Sequence, residues 1–157
     1  GFSAIRFNFR GVGKSEGIYD DGEGELSDAA SVLDWLQQYN TNSKICWVAG
    51  FSFGSWVSMQ LLMRRPEING FVSISPPANV RDFSFLAPCP SSGLIVHGDK
   101  DNIASFDSSK ILSEKLQKQK KVDIRFKQIK GADHFYENYS EEFSNIVDSY
   151  IKDSLKS

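Results

Sequence analysis

The sequence of 157 residues is 40% hydrophobic and 24% charged, with a formal net charge of −2, which is enough apolar material for one sizeable core and no more. So small a net charge, with scattered basic residues, argues against nucleic acid as a partner, and no apolar run approaches the roughly 18 residues of a membrane span. Two cysteines outside any metal-ligand spacing, with no charged and apolar leader at the start, predict a reduced, cytoplasmic protein of one domain over residues 1–157.

The chain opens with a run in which apolar and polar residues alternate, from Gly1 to Phe9, and such alternation predicts a strand. No initiator methionine precedes this strand and no neighbouring strand is encoded before it, so we expect the chain to be a fragment. The exposed strand edge would favour association, which makes a homo-oligomer one expectation. A glycine-rich turn over 10–17 follows, and apolar residues then recur at helical spacing from Leu26 to Leu36.

The rest of the chain alternates strands with helices. Apolar runs predict strands at 44–50, 70–75, 93–97 and 122–129. Helical patterns predict helices at 53–65, 105–118 and 140–155. The strand at 44–50 is nearly continuous in its apolar residues, which is typical of burial on both faces. The alternation predicts an α/β fold with a mostly parallel sheet, helices on both faces, and a ligand site at the carboxyl ends of the strands.

A Gly-x-Ser-x-Gly segment, Gly50 to Gly54, stands between the predicted strand at 44–50 and the predicted helix at 53–65. A serine at such a place lies on a tight, strained turn, and small flanking residues let strand and helix approach closely. The start of the helix also directs free N–H groups and the positive end of its dipole toward a developing oxyanion. An ordinary turn capped by a serine would look similar, but the context favours Ser52 as a nucleophile.

A serine hydroxyl is a weak nucleophile and needs a general base. The sequence has two histidines, His97 and His134. His97 ends a predicted strand, where a satisfied structural histidine is the commoner interpretation. His134 lies in the loop between the last strand and the last helix, where a base can reach over the sheet edge, and the chain order serine, acid, histidine favours it. Asp99 and Asp101 both follow His97 in one turn, and the residues alone leave the choice of acid open.

Four short motifs at these places resemble those of one superfamily. They are Arg10-Gly11-x-Gly13-x-Ser15-x-Gly17, Gly50-x-Ser52-x-Gly54, His97-Gly98-Asp99-x-Asp101 and Gly131-x-x-His134-Phe135. Over essentially its whole length the chain is similar to the α/β-hydrolases, and more narrowly to small bacterial esterase-like members related to dienelactone hydrolases. The resemblance implies an α/β-hydrolase fold, here with N-terminal strands missing and no large lid domain. It also implies Asp101 as the triad acid, with Asp99 tying the turn together through backbone N–H groups.

The resemblance further implies the chemistry of a serine hydrolase. Ser52 would form an acyl-enzyme with a carboxylic ester or thioester, His134 would move the proton and Asp101 would hold its tautomer, without a metal or organic cofactor. One oxyanion donor would be the N–H of Phe53. The second would come from a glycine-rich loop after an earlier strand that this chain lacks, so the predicted oxyanion hole is half built. A small-molecule ester is the expected partner.

Other functions stay open on these residues. The same side chains would serve a serine peptidase or an acyltransferase, and a chain with half an oxyanion hole would suit a non-catalytic binding or regulatory module, or an inactive fragment. The Gly-Val-Gly-Lys-Ser string at 11–15 resembles the end of a phosphate-binding loop. Asn8 and Glu16, however, stand where the two nucleotide-binding fingerprints need glycine, which argues against nucleotide binding.

The loop over 76–92 is rich in Phe and Pro. It is too short for a large lid, which favours small or open-ended substrates. Its apolar residues either line an acyl pocket or pack the loop onto the sheet, and they are Phe83, Phe85 and Leu86.

Overall fold

The computed structural model describes residues 1–156, which fold into four strands and four helices. The strands are β1 (Trp47–Phe51), β2 (Gly70–Ile74), β3 (Gly93–Gly98) and β4 (Ile124–Ile129). The helices are α1 (Glu23–Gln38), α2 (Phe53–Arg64), α3 (Phe106–Gln117) and α4 (Ser140–Lys156). Every element predicted from Leu26 onwards is present, with ends that differ from the predicted ends by no more than three residues.

The four strands form one parallel sheet in the order β1-β2-β3-β4. One row across the sheet joins Gly50, Ser73, Ile95 and Phe126. Parallel neighbours need crossover connections, and α2 joins β1 to β2 while α3 joins β3 to β4. The chain therefore advances across the sheet in one direction, and all carboxyl ends of the strands collect at one edge. The predicted parallel sheet is confirmed.

The two faces of the sheet carry different helices. Phe71 and Ile95 point into a core that α1, α2 and α3 cover. Val72 and Leu94, their neighbours along the strands, point to the other face, which α4 covers with Tyr150. The prediction of helices on both faces is therefore confirmed. Among the described residues, no helix combines the length and the apolar character needed to cross a bilayer.

The segment from Gly1 to Phe9 is not a strand, so the prediction of a strand there is wrong. The segment packs through its side chains: the ring of Phe2 lies 5.9 Å from that of Trp47, and the ring of Phe9 lies 5.4 Å from that of Phe53. An alternating pattern favours extended backbone, but a strand also needs a hydrogen-bonded neighbour. In the described sheet β1 pairs with β2 alone, so the segment lies beside β1 without joining it.

The prediction that the strand at 44–50, here β1, is buried on both faces is also wrong. β1 is half-buried, and Phe51 at its end is 39% exposed. β3, by contrast, is buried along its whole length. The difference arises because β1 lies at the edge of the described sheet whereas β3 has strands on both sides. Composition alone does not distinguish an edge strand from an inner one.

The turn after residue 9 is fastened to α1 by an arginine. Arg10 donates two hydrogen bonds of 2.7 Å to the carboxylate of Asp28, one to each oxygen. The buried carboxylate of Glu25 accepts from the N–H groups of Gly22 and Asp20 and so caps the start of α1. These contacts hold the loop over 10–22 against α1, which covers the same face of the sheet as α2.

Candidate active site

Three of the predicted site residues follow strand ends at the same edge of the sheet. Ser52 follows β1, Asp101 comes three residues after β3, and His134 lies in the loop between β4 and α4. Their side chains meet although 82 residues separate the serine from the histidine. The parallel sheet brings them together, as expected for residues beyond the carboxyl ends of neighbouring strands.

Ser52 occupies a strained turn between β1 and α2. Its φ is 53° and its ψ is −120°, a conformation that non-glycine residues rarely adopt. Its N–H donates to the carbonyl of Ile74 at 2.8 Å, which ties the turn to β2. A Cβ on Gly50 would collide with the backbone carbonyl of Gly54, so Gly50 must be glycine for strand and helix to come this close. A Cβ on Gly54 would meet only Phe9, at 3.5 Å, an ordinary contact.

A chain of two hydrogen bonds joins the three side chains. Nδ1 of His134 lies 2.6 Å from Oδ2 of Asp101, and Nε2 of His134 lies 3.0 Å from Oγ of Ser52. A carboxylate only accepts, so Nδ1 carries the hydrogen and Nε2 is left to accept from the Ser52 hydroxyl. His134 is almost fully buried and the Asp101 side chain is 0% exposed. The geometry is that of a serine, a base and an acid that holds the base in one tautomer.

The carboxylate of Asp101 is satisfied on both oxygens. Oδ1 accepts from the N–H groups of Ile103 and Ala104, each at 2.8 Å, and Oδ2 faces His134. Burial raises the pKa of Asp101, but the hydrogen bonds from His134, Ala104 and Ile103 outweigh it, so the pKa lies below its ordinary value. Asp101 is therefore ionised at neutral pH despite its burial.

Asp99 faces away from this chain of hydrogen bonds. Its carboxylate accepts from the N–H of Gly131 at 2.6 Å and from the side-chain amide of Gln128 at 3.1 Å. The bond from Gly131 is the main reason that the pKa of Asp99 is lowered. Asp99 thus ties the turn after β3 to the start of the His134 loop, whereas the backbone N–H groups of its own turn bond to Asp101. We expected Asp99 to accept from backbone N–H groups of its own turn, but Asp101 accepts those hydrogen bonds.

His97 lies closer to the site than the sequence suggested. It is fully buried at the end of β3, and its Nε2 lies 3.0 Å from Oδ2 of Asp101. Its other ring nitrogen lies 2.6 Å from Oγ of Ser109. The interpretation of His97 as a satisfied structural histidine is consistent with these contacts, but it misses the contact with Asp101. The spacing of four residues between His97 and Asp101 was the available signal.

Tyr136 and Ser75 are further site residues that sequence reasoning missed. The Tyr136 hydroxyl donates to the carbonyl of Val96 at 3.2 Å and lies 2.7 Å from Oγ of Ser75. Both residues have positive φ, 56° at Tyr136 and 50° at Ser75. Tyr136 follows His134 by two residues, so its hydroxyl pins the His134 loop onto the ends of β2 and β3. No sequence motif marked this role.

The surface around Ser52 and His134 is apolar and open. The rings of Phe51 and Phe135 lie 4.9 and 5.1 Å from the His134 ring and are 39% and 67% exposed. Phe53 is the first residue of α2, so its N–H has no acceptor one turn earlier in the helix and can serve a ligand oxygen. A groove of about 680 Å³ lies elsewhere, between β4 and α4.

Arg81 joins the loop over 76–92 to the start of α2. Its guanidinium lies 4.6 Å from the Trp56 ring and 5.4 Å from the Phe53 ring, and it donates to Asp21 at 2.7 Å and to the Tyr19 hydroxyl at 2.9 Å. Three apolar residues of the same loop pack into the core instead. Phe83 and Leu86 are buried in the core with Phe85 packed against it, so these residues anchor the loop and do not line a pocket.

The donor set around the site does not suit a metal. Within residues 1–156, no group of three or more His, Cys, Asp or Glu side chains is placed to hold a metal ion. Asp101 and His134 already satisfy each other through a hydrogen bond of 2.6 Å.

Comparison with known proteins places the chain among the serine hydrolases. Residues 1–150 match the family model of X-Pro dipeptidyl-peptidase (S15 family). The uncharacterized protein RP471 of Rickettsia prowazekii (strain Madrid E) is 52% identical over an alignment of 155 residues, and the match covers 96% of this chain and 65% of that protein. The chain thus spans less than two thirds of the length of this relative.

Two solved structures agree with the family match. ATU1826 of Agrobacterium tumefaciens, a protein of unknown function suggested to be an α/β hydrolase, is 54% identical with a TM-score of 0.93 over 96% of this chain and 69% of that one. XC6422 of Xanthomonas campestris, an α/β serine hydrolase without a lid, is 30% identical with a TM-score of 0.83 over 94% of this chain and 64% of that one. With its parallel sheet, helices on both faces and serine at the end of β1, the chain belongs to the X-Pro dipeptidyl-peptidase (S15) family of serine hydrolases and has the α/β-hydrolase fold.

Proposed function

We propose that this protein hydrolyses a carboxylic ester or thioester of a small molecule through an acyl-enzyme on Ser52. The observation that carries the proposal is the hydrogen-bonded chain from Ser52 through His134 to Asp101, with distances of 3.0 and 2.6 Å. Each member has the environment its role needs: a strained serine at the N-cap position of α2, a buried histidine and an ionised acid.

The proposed reaction has two halves. Ser52 Oγ attacks the carbonyl carbon while Nε2 of His134 takes the hydroxyl proton, and Asp101 stabilises the imidazolium that results. The C–O or C–S bond then breaks, and the leaving alcohol or thiol receives the proton from His134. A water molecule attacks the acyl-enzyme in the same way, which releases the acid and returns the proton to Ser52. The N–H of Phe53 donates to the oxyanion in both halves.

The surroundings of Ser52 favour an uncharged ester over a peptide with a free N-terminus. Phe51 and Phe135 offer apolar contacts beside the reacting atoms. A dipeptidyl peptidase must also hold the protonated N-terminal amine of its substrate, which a free carboxylate does best. The carboxylate of Asp21 is paired with Arg81 at 2.7 Å, so Asp21 is not free for this role.

A serine peptidase is the second candidate, because the matching family model is that of X-Pro dipeptidyl-peptidases. The mechanism would be unchanged, with an amine in place of the alcohol as leaving group. A non-catalytic module of the same fold is the remaining alternative, and it is the one that the intact hydrogen-bonded chain argues against. Substrate panels and an active-site label separate the three.

The first experiment measures turnover by the full-length protein of p-nitrophenyl esters of short acids and of an X-Pro p-nitroanilide. We expect ester hydrolysis to dominate, and Ser52→Ala to lower it by at least about 10³-fold, since the attacking atom is lost. Ser31→Ala, at an exposed serine of α1, is the matched control and should retain full activity.

Labelling with a fluorophosphonate tests the nucleophile without assuming a substrate. Prompt labelling that Ser52→Ala abolishes and Ser31→Ala does not is the expected result. Anilide turnover above ester turnover would favour the peptidase, and a folded protein that neither labels nor turns over any substrate would establish the non-catalytic alternative. Turnover unchanged by Ser52→Ala would exclude Ser52 as the nucleophile.

A further inference from the structure

Asp101 has two histidine neighbours, and the proposed mechanism uses one of them. Oδ2 of Asp101 lies 2.6 Å from Nδ1 of His134 and 3.0 Å from Nε2 of His97. The His97 side chain and the Asp101 side chain are both 0% exposed, so water does not compete for this contact. The same carboxylate oxygen therefore sits between the two rings.

The contacts of His97 decide which of its nitrogens carries hydrogen. Nε2 faces the Asp101 carboxylate and the carbonyl of Ala104, both at 3.0 Å, and both groups only accept. Nε2 must therefore be the donor. Burial lowers the pKa of His97, and the opposing effects of Ala104 and Asp101 do not cancel this, so the ring is neutral at pH 7.

The opposite nitrogen is fixed by α3. In a neutral ring with hydrogen on Nε2, Nδ1 is bare and needs a donor. Oγ of Ser109 lies 2.6 Å from it and 3.1 Å from the carbonyl of Pro76, and the hydroxyl donates to the nearer acceptor, Nδ1. Ser109 is fully buried, and the first turn of α3 holds it there. The His97 ring is thus held at both ends.

We propose that His97 is a positioning residue for Asp101: the hydrogen bond from its Nε2 holds Oδ2 at the place where it accepts from His134, and it shares the negative charge of that oxygen. This inference rests on the proposed function, because it assigns His97 a part in the same reaction. Asp101 then accepts four hydrogen bonds, from His97, His134, Ile103 and Ala104.

A direction for the pH dependence follows. The titratable groups facing His97 are the carboxylate of Asp101 and, beyond it, the ring of His134. If the bond from His97 is lost, more negative charge stays on Oδ2, and the imidazolium form of His134 is favoured more strongly. His134 then stays protonated, and cannot accept the proton of Ser52, up to a higher pH. The acidic limb of the kcat/KM profile should therefore move toward higher pH.

Two substitutions of His97 distinguish its hydrogen bond to Asp101 from a role in packing alone. The amide nitrogen of glutamine reaches the position of Nε2, whereas the amide of asparagine reaches only that of Nδ1. His97→Gln therefore keeps a donor for Asp101, and His97→Asn keeps a partner for Ser109 but loses the donor. The measurements are kcat and KM for the ester, the pH profile, and the downfield proton resonance of the short bond between His134 and Asp101.

We expect His97→Asn to lower kcat by about tenfold or more, with KM changed less than about threefold, as for partners that orient groups around a reactive centre. Its acidic limb should move to higher pH and its downfield resonance should shift or broaden. His97→Gln should restore kcat to within about fivefold, along with the profile and resonance. Ser109→Ala, which frees the ring while keeping His97, should show a smaller loss in the same direction, and it replaces His97→Asn if that variant does not fold.

Equal effects of His97→Asn and His97→Gln, or a loss of kcat with an unchanged pH profile and resonance, would overturn the inference. The resonance is read without substrate, so it tests the contact even if turnover is absent. If Ser52→Ala leaves turnover intact, the proposed function fails. If Ser52→Ala abolishes turnover while His97→Asn changes neither rate nor resonance, the positioning role alone fails.

Discussion

Tyr136 shows how one side chain can set the place of a whole loop. It is buried, it follows His134 by two residues, and its hydroxyl bridges the carbonyl of Val96 and the hydroxyl of Ser75. Burial raises the pKa of Tyr136 to about 12. The neutral phenol is therefore the form that the folded state holds, and its hydrogen bonds keep His134 over Ser52.

Tyr136→Phe should lower the free energy of unfolding by about 1–3 kcal/mol, because it leaves the buried Ser75 hydroxyl without its partner. The pKa of Tyr136 is raised on folding, so its contribution is fully present below pH 10 and is lost as the pH rises toward about 12. Denaturant unfolding from pH 8 to 12 should show a smaller alkaline loss in the variant. Tyr39→Phe, at a tyrosine 70% exposed, is the control and should change stability by less than about 0.5 kcal/mol. Equal alkaline losses would contradict the assignment.

Sequence analysis brought together residues that each follow the end of a strand. Ser52 and His134 follow predicted strands in the order typical of α/β-hydrolases, and the structure places Nε2 of His134 3.0 Å from Oγ of Ser52. Asp99 and Asp101 share one turn, so residue order does not distinguish them, and the structure shows that Asp101 faces His134. The spacing of four residues between His97 and Asp101 allows their contact, but only the fold of the turn after β3 shows that the contact is made.

At the scale of elements, the approach of β1 to α2 depends on one glycine more than on the other. A Cβ on Gly50 would overlap the carbonyl of Gly54 and come within 2.5 Å of Oγ of Ser58, whereas a Cβ on Gly54 has room beside Phe9. The Gly-x-Ser-x-Gly motif treats the two positions alike. Their surroundings in the structure do not.

Gly50→Ala should therefore destabilise the protein by about 1–3 kcal/mol through overpacking. It should also lower kcat by about 10²-fold, since a displacement of Ser52 by about 1 Å from His134 is enough for that loss. Gly54→Ala is the matched control, and its stability should lie within about 1 kcal/mol of the wild type because alanine favours helix. Thermal unfolding and ester turnover measure both effects. Equal tolerance of the two substitutions would contradict the close approach described for Gly50.

The elements that sequence predicted best are those whose partners lie within the described chain. β2 and β3 have neighbours on both sides, and their apolar runs matched their burial. The alternation in residues 1–9 predicted a strand that does not form, because pairing depends on a neighbour as well as on the pattern. Burial of β1 was overestimated for the same reason.

At the scale of the whole molecule, the carboxylates favour folding at neutral pH. Those whose pKa values lie below the ordinary range are Asp21, Asp28, Glu67, Asp82, Asp99 and Asp101. A lowered pKa stabilises the fold above the unfolded value of about 4, and the contribution is lost as the pH falls through the folded value. Asp101 stands apart because its side chain is 0% exposed, whereas Asp21 is 75% exposed and its ion pair is screened by solvent.

Asp101→Asn should therefore flatten the dependence of unfolding free energy on pH below about 5, since the titrating group is removed. Asp21→Asn should leave that dependence nearly unchanged. Chemical denaturation at a series of pH values between about 2 and 6 measures the slope directly. An acid slope that Asp21→Asn reduces as much as Asp101→Asn does would show that exposed pairs, and not the buried acid, govern acid unfolding.

Ser52 and His134 come from opposite edges of the described sheet, one after β1 and the other in the loop after β4. Three interstrand spacings, about 14 Å in all, separate those strands. The loop after β4 therefore reaches back across the edge of the sheet to bring His134 within 3.0 Å of Ser52. The contact therefore depends on the order and the register of the strands that lie between the two residues. Under the proposed mechanism, catalytic turnover would therefore be sensitive to local unfolding. Fraying of either edge strand would abolish turnover before circular dichroism showed global unfolding.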